Sequence, residues 1–369
     1  MLLKSNLRLL LAQLDGLAET PYFSQELDEY LGQLRSTLKA LLSKLDGNIP
    51  TINTEIARLI GDHVWELTQY LTGSTTKRIP YEVVFAIEQA ASEWTNRKLL
   101  IATAIGQDAN FYFHGGSQEF FQIVEKELGI AISSQPVQIA LPYIYRHKPL
   151  FCIPLFHELG HFVDSANEVV LTSMLISPED VGPDLPDLPS SAKIAKMSGT
   201  DRSYIKPIVR KHRAEYFADV FCAAYVGQAA KGFLEEFSPN DEATGTHPGS
   251  DARYALIDDF LNDRTNPILE LLQNSLATRG LKKLSKRYVP VQLDDAFGDV
   301  RPYSLKSNEE VYGLFDAGWR YLKSAWTNPT GLWANLAEED IERIANDLAE
   351  KSIRNRMILE GWNASAYPP

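Results

Sequence analysis

Leu7, Leu10, Leu11, Leu14 and Leu17 recur every three to four residues, the spacing that gathers side chains on one face of an α-helix. The same period runs through a second amphipathic segment, which Ser24 can cap and which continues to about Leu45, and through a third over residues 51–71 that stops at Gly73. Pro80 opens a fourth, where Val83, Val84, Ile87, Ala90, Ala91 and Trp94 make one apolar face. The period then changes. Residues 99–105 form a short apolar run, 106–110 have turn composition and aromatic residues follow at 111–113, a pattern that predicts a hairpin. A helix over 117–128 and an extended segment over 137–145 come next.

From there to about Asn262 the pattern is helical again, interrupted by residues 177–203. Pro178, Pro183, Pro186 and Pro189 forbid a regular element there and predict a mobile insertion. Ser307 with Glu310 is a capping box opening a helix toward Trp326, and residues 337–359 read as a long amphipathic helix ending near Gly361. No repeat at a fixed period is present. The pattern predicts an α+β, predominantly helical fold in three parts: an amino-terminal helical region at 1–78, a core at 79–262 and a carboxy-terminal helical region at 263–369.

Composition removes several classes. The chain has 36 basic and 48 acidic residues and a net charge of −12, without a block of consecutive Lys or Arg, which argues against a nucleic-acid groove. Two cysteines, Cys152 and Cys222, both in apolar stretches, build no disulfide framework. Arg8 and Asp15 interrupt the leucines at the start, so neither a signal peptide nor a membrane span is expected. The expected setting is cytoplasmic.

Candidate chemistry lies in the segment Phe151-Cys-Ile-Pro-Leu-Phe-His157-Glu158-Leu-Gly-His161. Residues four apart on a helix lie about 40° apart around its axis, so the two imidazoles can converge on one zinc ion. Glu158, one step round the helix, is the candidate general base. A catalytic zinc takes three protein ligands and a water. Asp164 and Asn167 stand where the metzincin arrangement needs Gly and His, which excludes it. A Glu from a later helix is the other pattern, and Glu215 offers one, with Asp219 four residues on to hold the free ring N–H of a ligating histidine. His212 shares the face of Glu215 and is the competing ligand.

Plainer roles compete with these. Glu215 and Asp219 also suit a solvated helix face, His247 a turn before Pro248, and Arg253 a surface charge. His63, His114 and His147 have no partner pattern and read as structural or surface residues. Tyr143 and Tyr145, on the strand before the histidine helix, suit packing or the cleft. Cys152, about 140° from His157, is a poor ligand, and Cys222 reads as core.

HELGH followed by a helix reading EYFAD resembles the gluzincin zinc metallopeptidases, the group containing thermolysin. That resemblance implies a small sheet, then the two-histidine helix, then the glutamate helix, and residues 99–145 fall where the sheet belongs. Thr246-His247-Pro248, with Arg253 six residues after the histidine, is similar to a motif of the prenyl-protein-processing and heat-shock membrane zinc peptidases, whose membrane helices are absent here. Covering about residues 99–260, it implies that His247 stabilises the oxyanion and Arg253 supports His247. The expected function is therefore a zinc-dependent endopeptidase with a protein or peptide substrate bound along the sheet edge, its helical flanks selecting a specific protein partner in a regulatory role. The alternative is a non-catalytic zinc-binding protein whose flanks hold a partner. Dinuclear oxygen chemistry is disfavoured, because Glu158–His161 is the one Glu-x-x-His element in the sequence.

Overall fold

The structure, a computed structural model, describes residues 2–22, 25–46, 51–75, 80–95, 99–106, 111–115, 118–132, 135–177 and 202–366. Ser24, the turn residues 107–110 and residues 178–201 of the expected insertion lie outside them. Helices dominate, with one three-stranded sheet, and no described helix is long and apolar enough to cross a membrane. The chain divides into two compact units, Met1–Val84 with Thr95–Arg146, and Phe85–Trp94 with His147–Pro369. This division differs from the expected boundaries at 78/79 and 262/263. The sheet groups with the amino-terminal helices, and the carboxy-terminal helices group with the histidine helix.

The first unit is built on leucine. Helices α1 (Leu2–Leu17), α2 (Gln25–Leu45) and α3 (Thr54–Gly73) share one core with a later helix, α5 (Gln118–Leu128). Leu7, Leu10 and Leu14 of α1 are buried there with Leu34 and Leu38 of α2 and Ile60 and Val64 of α3. Leu11 and Leu17 pack at its margin. A Cβ on Gly61 would lie 2.8 Å from Leu7 Cδ2, so α1 and α3 meet where a side chain is missing. Helix α3 starts three residues later than expected because the Asn53 side chain accepts the Glu55 N–H at 2.7 Å, and a capping residue stays outside the helix it caps. Helix α4 (Tyr81–Ser92) contains the unit boundary and buries the apolar face expected of it.

The sheet corrects the expected hairpin. Strand β1 (Leu99–Gly106) runs parallel to β3 (Gln135–Pro142), and β2 (Tyr112–Gly115) pairs antiparallel with β3, so the order is β1-β3-β2. Turn composition after β1 signals a reversal of the chain but not the partner of the strand. The continuous apolar run of β1 suits a parallel ladder, which needs a long crossover, here supplied by β2 and α5. The extended segment expected to reach Tyr145 stops at Pro142, and Tyr143–Tyr145 is a 3-10 turn.

The second unit surrounds one buried helix. Helices α6 (Pro154–Asn167), α7 (Val169–Ile176), α8 (Arg202–Val226), α9 (Gln228–Phe237), α10 (Ser250–Leu261), α11 (Pro267–Thr278), α12 (Asp294–Gly298), α13 (Asn308–Thr327) and α14 (Glu338–Ala366) follow in order. Residues 216–226 of α8 are buried without exception, and all but Asp219 are apolar or aromatic. Phe156 of α6 packs on Phe315 of α13 at a ring distance of 5.3 Å, and Tyr225 of α8 on Tyr312 at 4.9 Å. Trp94 Nε1 donates to the Tyr225 hydroxyl at 2.8 Å. The carboxy-terminal helices are thus part of the core that holds α6 and α8. Helix α14 runs past Gly361, because one glycine costs a helix about 1 kcal/mol relative to alanine and does not by itself end it.

Ser307 caps α13 as expected: its hydroxyl accepts the Glu310 N–H at 3.3 Å, while the Glu310 carboxylate accepts from Lys306 N at 2.7 Å. Ser307→Ala is expected to lower the unfolding free energy of this unit by about 1 kcal/mol in urea titrations, and Ser307→Asp to retain it. Equal midpoints for Ser307→Ala and the native chain would remove the cap from the account.

Candidate metal centre

Helices α6 and α8 touch backbone to backbone at one residue. A Cβ on Gly160 would lie 2.7 Å from Ala218 Cα, closer than real side chains sit, and 3.1 Å from Phe221 Cβ. Three residues before this contact and one residue after it, His157 and His161 point from α6 toward Glu215 on α8. Their Nε2 atoms are 3.1 Å apart, His157 Nε2 is 3.4 Å from Glu215 Oε2, and His161 Nε2 is 3.4 Å from Glu215 Oε1. An ion about 2.0–2.1 Å from each ligand in a tetrahedral arrangement places those ligands about 3.3 Å apart. His157, His161 and Glu215 therefore fit a metal ion, and they form the one such group among the described residues.

Asp219, one turn after Glu215, fixes the first of these ligands. His157 Nδ1–H donates to Asp219 Oδ1 at 3.0 Å, which leaves Nε2 as the nitrogen directed at the site. The Asp219 side chain is 4% exposed, which rules out a solvated helix face. Its charge is matched by Arg253 of α10, whose Nε and Nη2 each donate to Asp219 at 2.7 Å, and Nη2 also lies 3.6 Å from Glu215 Oε2. The resemblance implied that Arg253 supports His247. Its guanidinium instead serves the two carboxylates.

Burial by itself lowers the pKa of His157, but hydrogen bonds to Asp219 and Glu215 and their charges override it and raise the value to about 10. Burial and then the neighbouring His157 charge lower His161 to about 4. Glu215 is pulled against its burial to about 2 by His157, His161 and Arg253. Asp219 is held below the usual carboxylate range despite its burial, by Arg253 first and His157 next. The histidine pair therefore carries one positive charge at neutral pH, on His157.

His247 reaches the same site from the loop between α9 and α10. Its Nε2 lies 3.7 Å from Glu215 Oε1, and its side chain is 56% exposed. His212 is not a fourth ligand: its Nε2–H donates to the Thr244 carbonyl at 2.7 Å and so ties that loop to α8. Glu158 follows His157 on α6 and is half-buried. Tyr145 stacks on Phe111 at 5.8 Å, His63 stacks on Phe120 at 5.1 Å, and His147 faces Glu350 at 3.8 Å, so all three find partners elsewhere. Cys152 and Cys222 are buried. Gly160 and Thr244 escaped the sequence reading. A glycine inside an apolar helix signals close packing, whereas nothing in the sequence distinguishes Thr244.

Loading this site requires the His157 proton to leave. Between about pH 4 and pH 7, below the titration of a zinc-bound water, zinc uptake is expected to release about one proton, measured by calorimetry in buffers of different ionisation enthalpy. Uptake without proton release would contradict the arrangement. Gly160→Ala, which drives a methyl group into Ala218, is expected to cost about 1–3 kcal/mol of stability by overpacking and to weaken zinc binding in equilibrium dialysis. Unchanged affinity in that variant would mean that the helix contact does not set the ligand spacing.

Set beside known proteins, the chain matches no family model, no curated protein and no solved structure, so its chemistry is to be sought in the side chains just described.

Proposed function

We propose that the protein is a zinc-dependent endopeptidase of gluzincin type. The observation that carries this reading is a group of two histidines and a glutamate at tetrahedral separations, with a glutamate beside the first histidine. Zinc suits two imidazoles and a carboxylate, and when bound it polarises a carbonyl and lowers the pKa of its water toward about 7. Three protein ligands leave one position open, which favours catalysis over a purely structural role.

Each residue then has a defined task. Glu158 takes a proton from the attacking water and returns it to the leaving amine. His247, exposed above Glu215, donates a hydrogen bond to the developing oxyanion. Asp219 holds the His157 ring in the tautomer that ligates, and Arg253 neutralises the buried carboxylates that make this possible. The substrate is a protein or peptide, and a non-catalytic zinc-binding protein whose helical flanks bind a partner is the alternative that the following comparison tests.

Glu158→Gln is expected to bind zinc stoichiometrically and keep the native melting temperature while losing turnover by roughly 10³-fold or more, because an amide cannot accept the proton. The measurement is mass spectrometry of cleavage products from a proteome-derived peptide library. Cleavage by native protein at the same rate as Glu158→Gln, or by neither, would overturn the peptidase reading. Zinc content would then still report on the metal centre separately.

A further inference from the structure

The loop that carries His247 closes on itself through Thr244. The Thr244 N–H donates to the His247 carbonyl at 2.8 Å, and the Thr244 hydroxyl oxygen accepts both the Thr246 N–H at 3.2 Å and the His247 N–H at 3.0 Å. Two accepted bonds occupy both lone pairs of a hydroxyl oxygen, so in any further contact Thr244 must act as the donor. The Thr246 hydroxyl lies 3.1 Å away, and the His247 carbonyl is more distant at 3.5 Å. Donation from Thr244 to Thr246, the nearer acceptor, would leave the Thr246 proton free to be directed at His247 Nδ1, 2.8 Å away.

We propose that Thr246 and Thr244 are positioning residues that hold His247 with a proton on Nε2, making it a hydrogen-bond donor over Glu215 instead of a fourth metal ligand. The chain of donors runs one way, from Thr244 Oγ1 to Thr246 Oγ1 to His247 Nδ1, and an imidazole whose Nδ1 accepts keeps its proton on the other nitrogen. That nitrogen is the one 3.7 Å from Glu215 Oε1. An N–H has no lone pair to give a metal, so the site keeps three protein ligands and its open position. His212 completes the device: by donating to the Thr244 carbonyl from α8, three residues before Glu215, it sets the loop in register with the glutamate. The proposal takes the metal centre from the reading above only for what His247 faces; the tautomer itself depends on the loop.

The test is long-range ¹H–¹⁵N correlation spectroscopy of protein labelled with ¹⁵N-histidine, at a pH where the His247 nitrogens give the shifts of a neutral imidazole, with His247 assigned from its missing signal in His247→Gln. Native protein should show His247 solely as the Nε2–H form. Thr246→Val should let it relax to the mixture of both forms that an unconstrained imidazole shows, and Thr246→Ser should restore the single form. A native spectrum with the proton on Nδ1 overturns the proposal without recourse to any variant, and so does a Thr246→Val spectrum identical to native. On addition of zinc, His157 and His161 should shift while His247 keeps its Nε2 proton. Displacement of that proton into solvent by the metal overturns the proposal. Absence of any zinc-induced shift at His157 and His161 would instead count against the metal centre and leave the His247 tautomer decided by the native spectrum.

Discussion

How closely α6 can approach α8 decides whether this protein has a metal centre at all. The ligands come from two helices, and imidazole and carboxylate side chains are short beside the usual separation of about 8–10 Å between packed helix axes. Gly160 removes the one side chain that would hold the backbones apart, and its place is filled by Ala218 and Phe221. A glycine inside a helix costs about 1 kcal/mol relative to alanine. The contact offsets that locally, and it puts one residue pair at i, i+4 on α6 opposite another on α8, His157 and His161 facing Glu215 and Asp219.

That juxtaposition creates an electrostatic problem whose solution shapes the neighbouring elements. Two carboxylates lie in the same buried place, and burial alone would favour their neutral forms. Arg253 answers with a two-pronged bond to Asp219 and proximity to Glu215, which keeps both ionised. Removing one member of a buried pair of this kind costs about 3–5 kcal/mol, because the other is left charged and unmatched. The position of α10 is thereby tied to α8, and the loop leading into α10 carries His247. A residue required for charge balance thus also limits where His247 can stand.

Much of this was legible in the sequence, because it depends on helical period. The convergence of His157 and His161, the pairing of Glu215 with Asp219 and the apolar faces of α1 and α4 all follow from spacing within one element. What could not be read required knowing which distant segments meet. The partner of β1 is 36 residues ahead in register rather than across the following turn, and turn composition contains no information about that. Arg253 was assigned to the histidine nearest in sequence, while its charge is spent on carboxylates of another helix. His212 looked like a ligand by its face on α8, yet its ring is taken by a loop carbonyl 32 positions away.

The central claim is a three-ligand metal centre of two imidazoles and one carboxylate. X-ray absorption at the zinc K-edge of zinc-loaded protein examines it most directly. The account predicts a four-coordinate ion with nitrogen and oxygen neighbours at about 2.0–2.2 Å, scattering from two imidazole rings and no sulfur. Sulfur at about 2.3 Å, or a third imidazole in the shell, would contradict it.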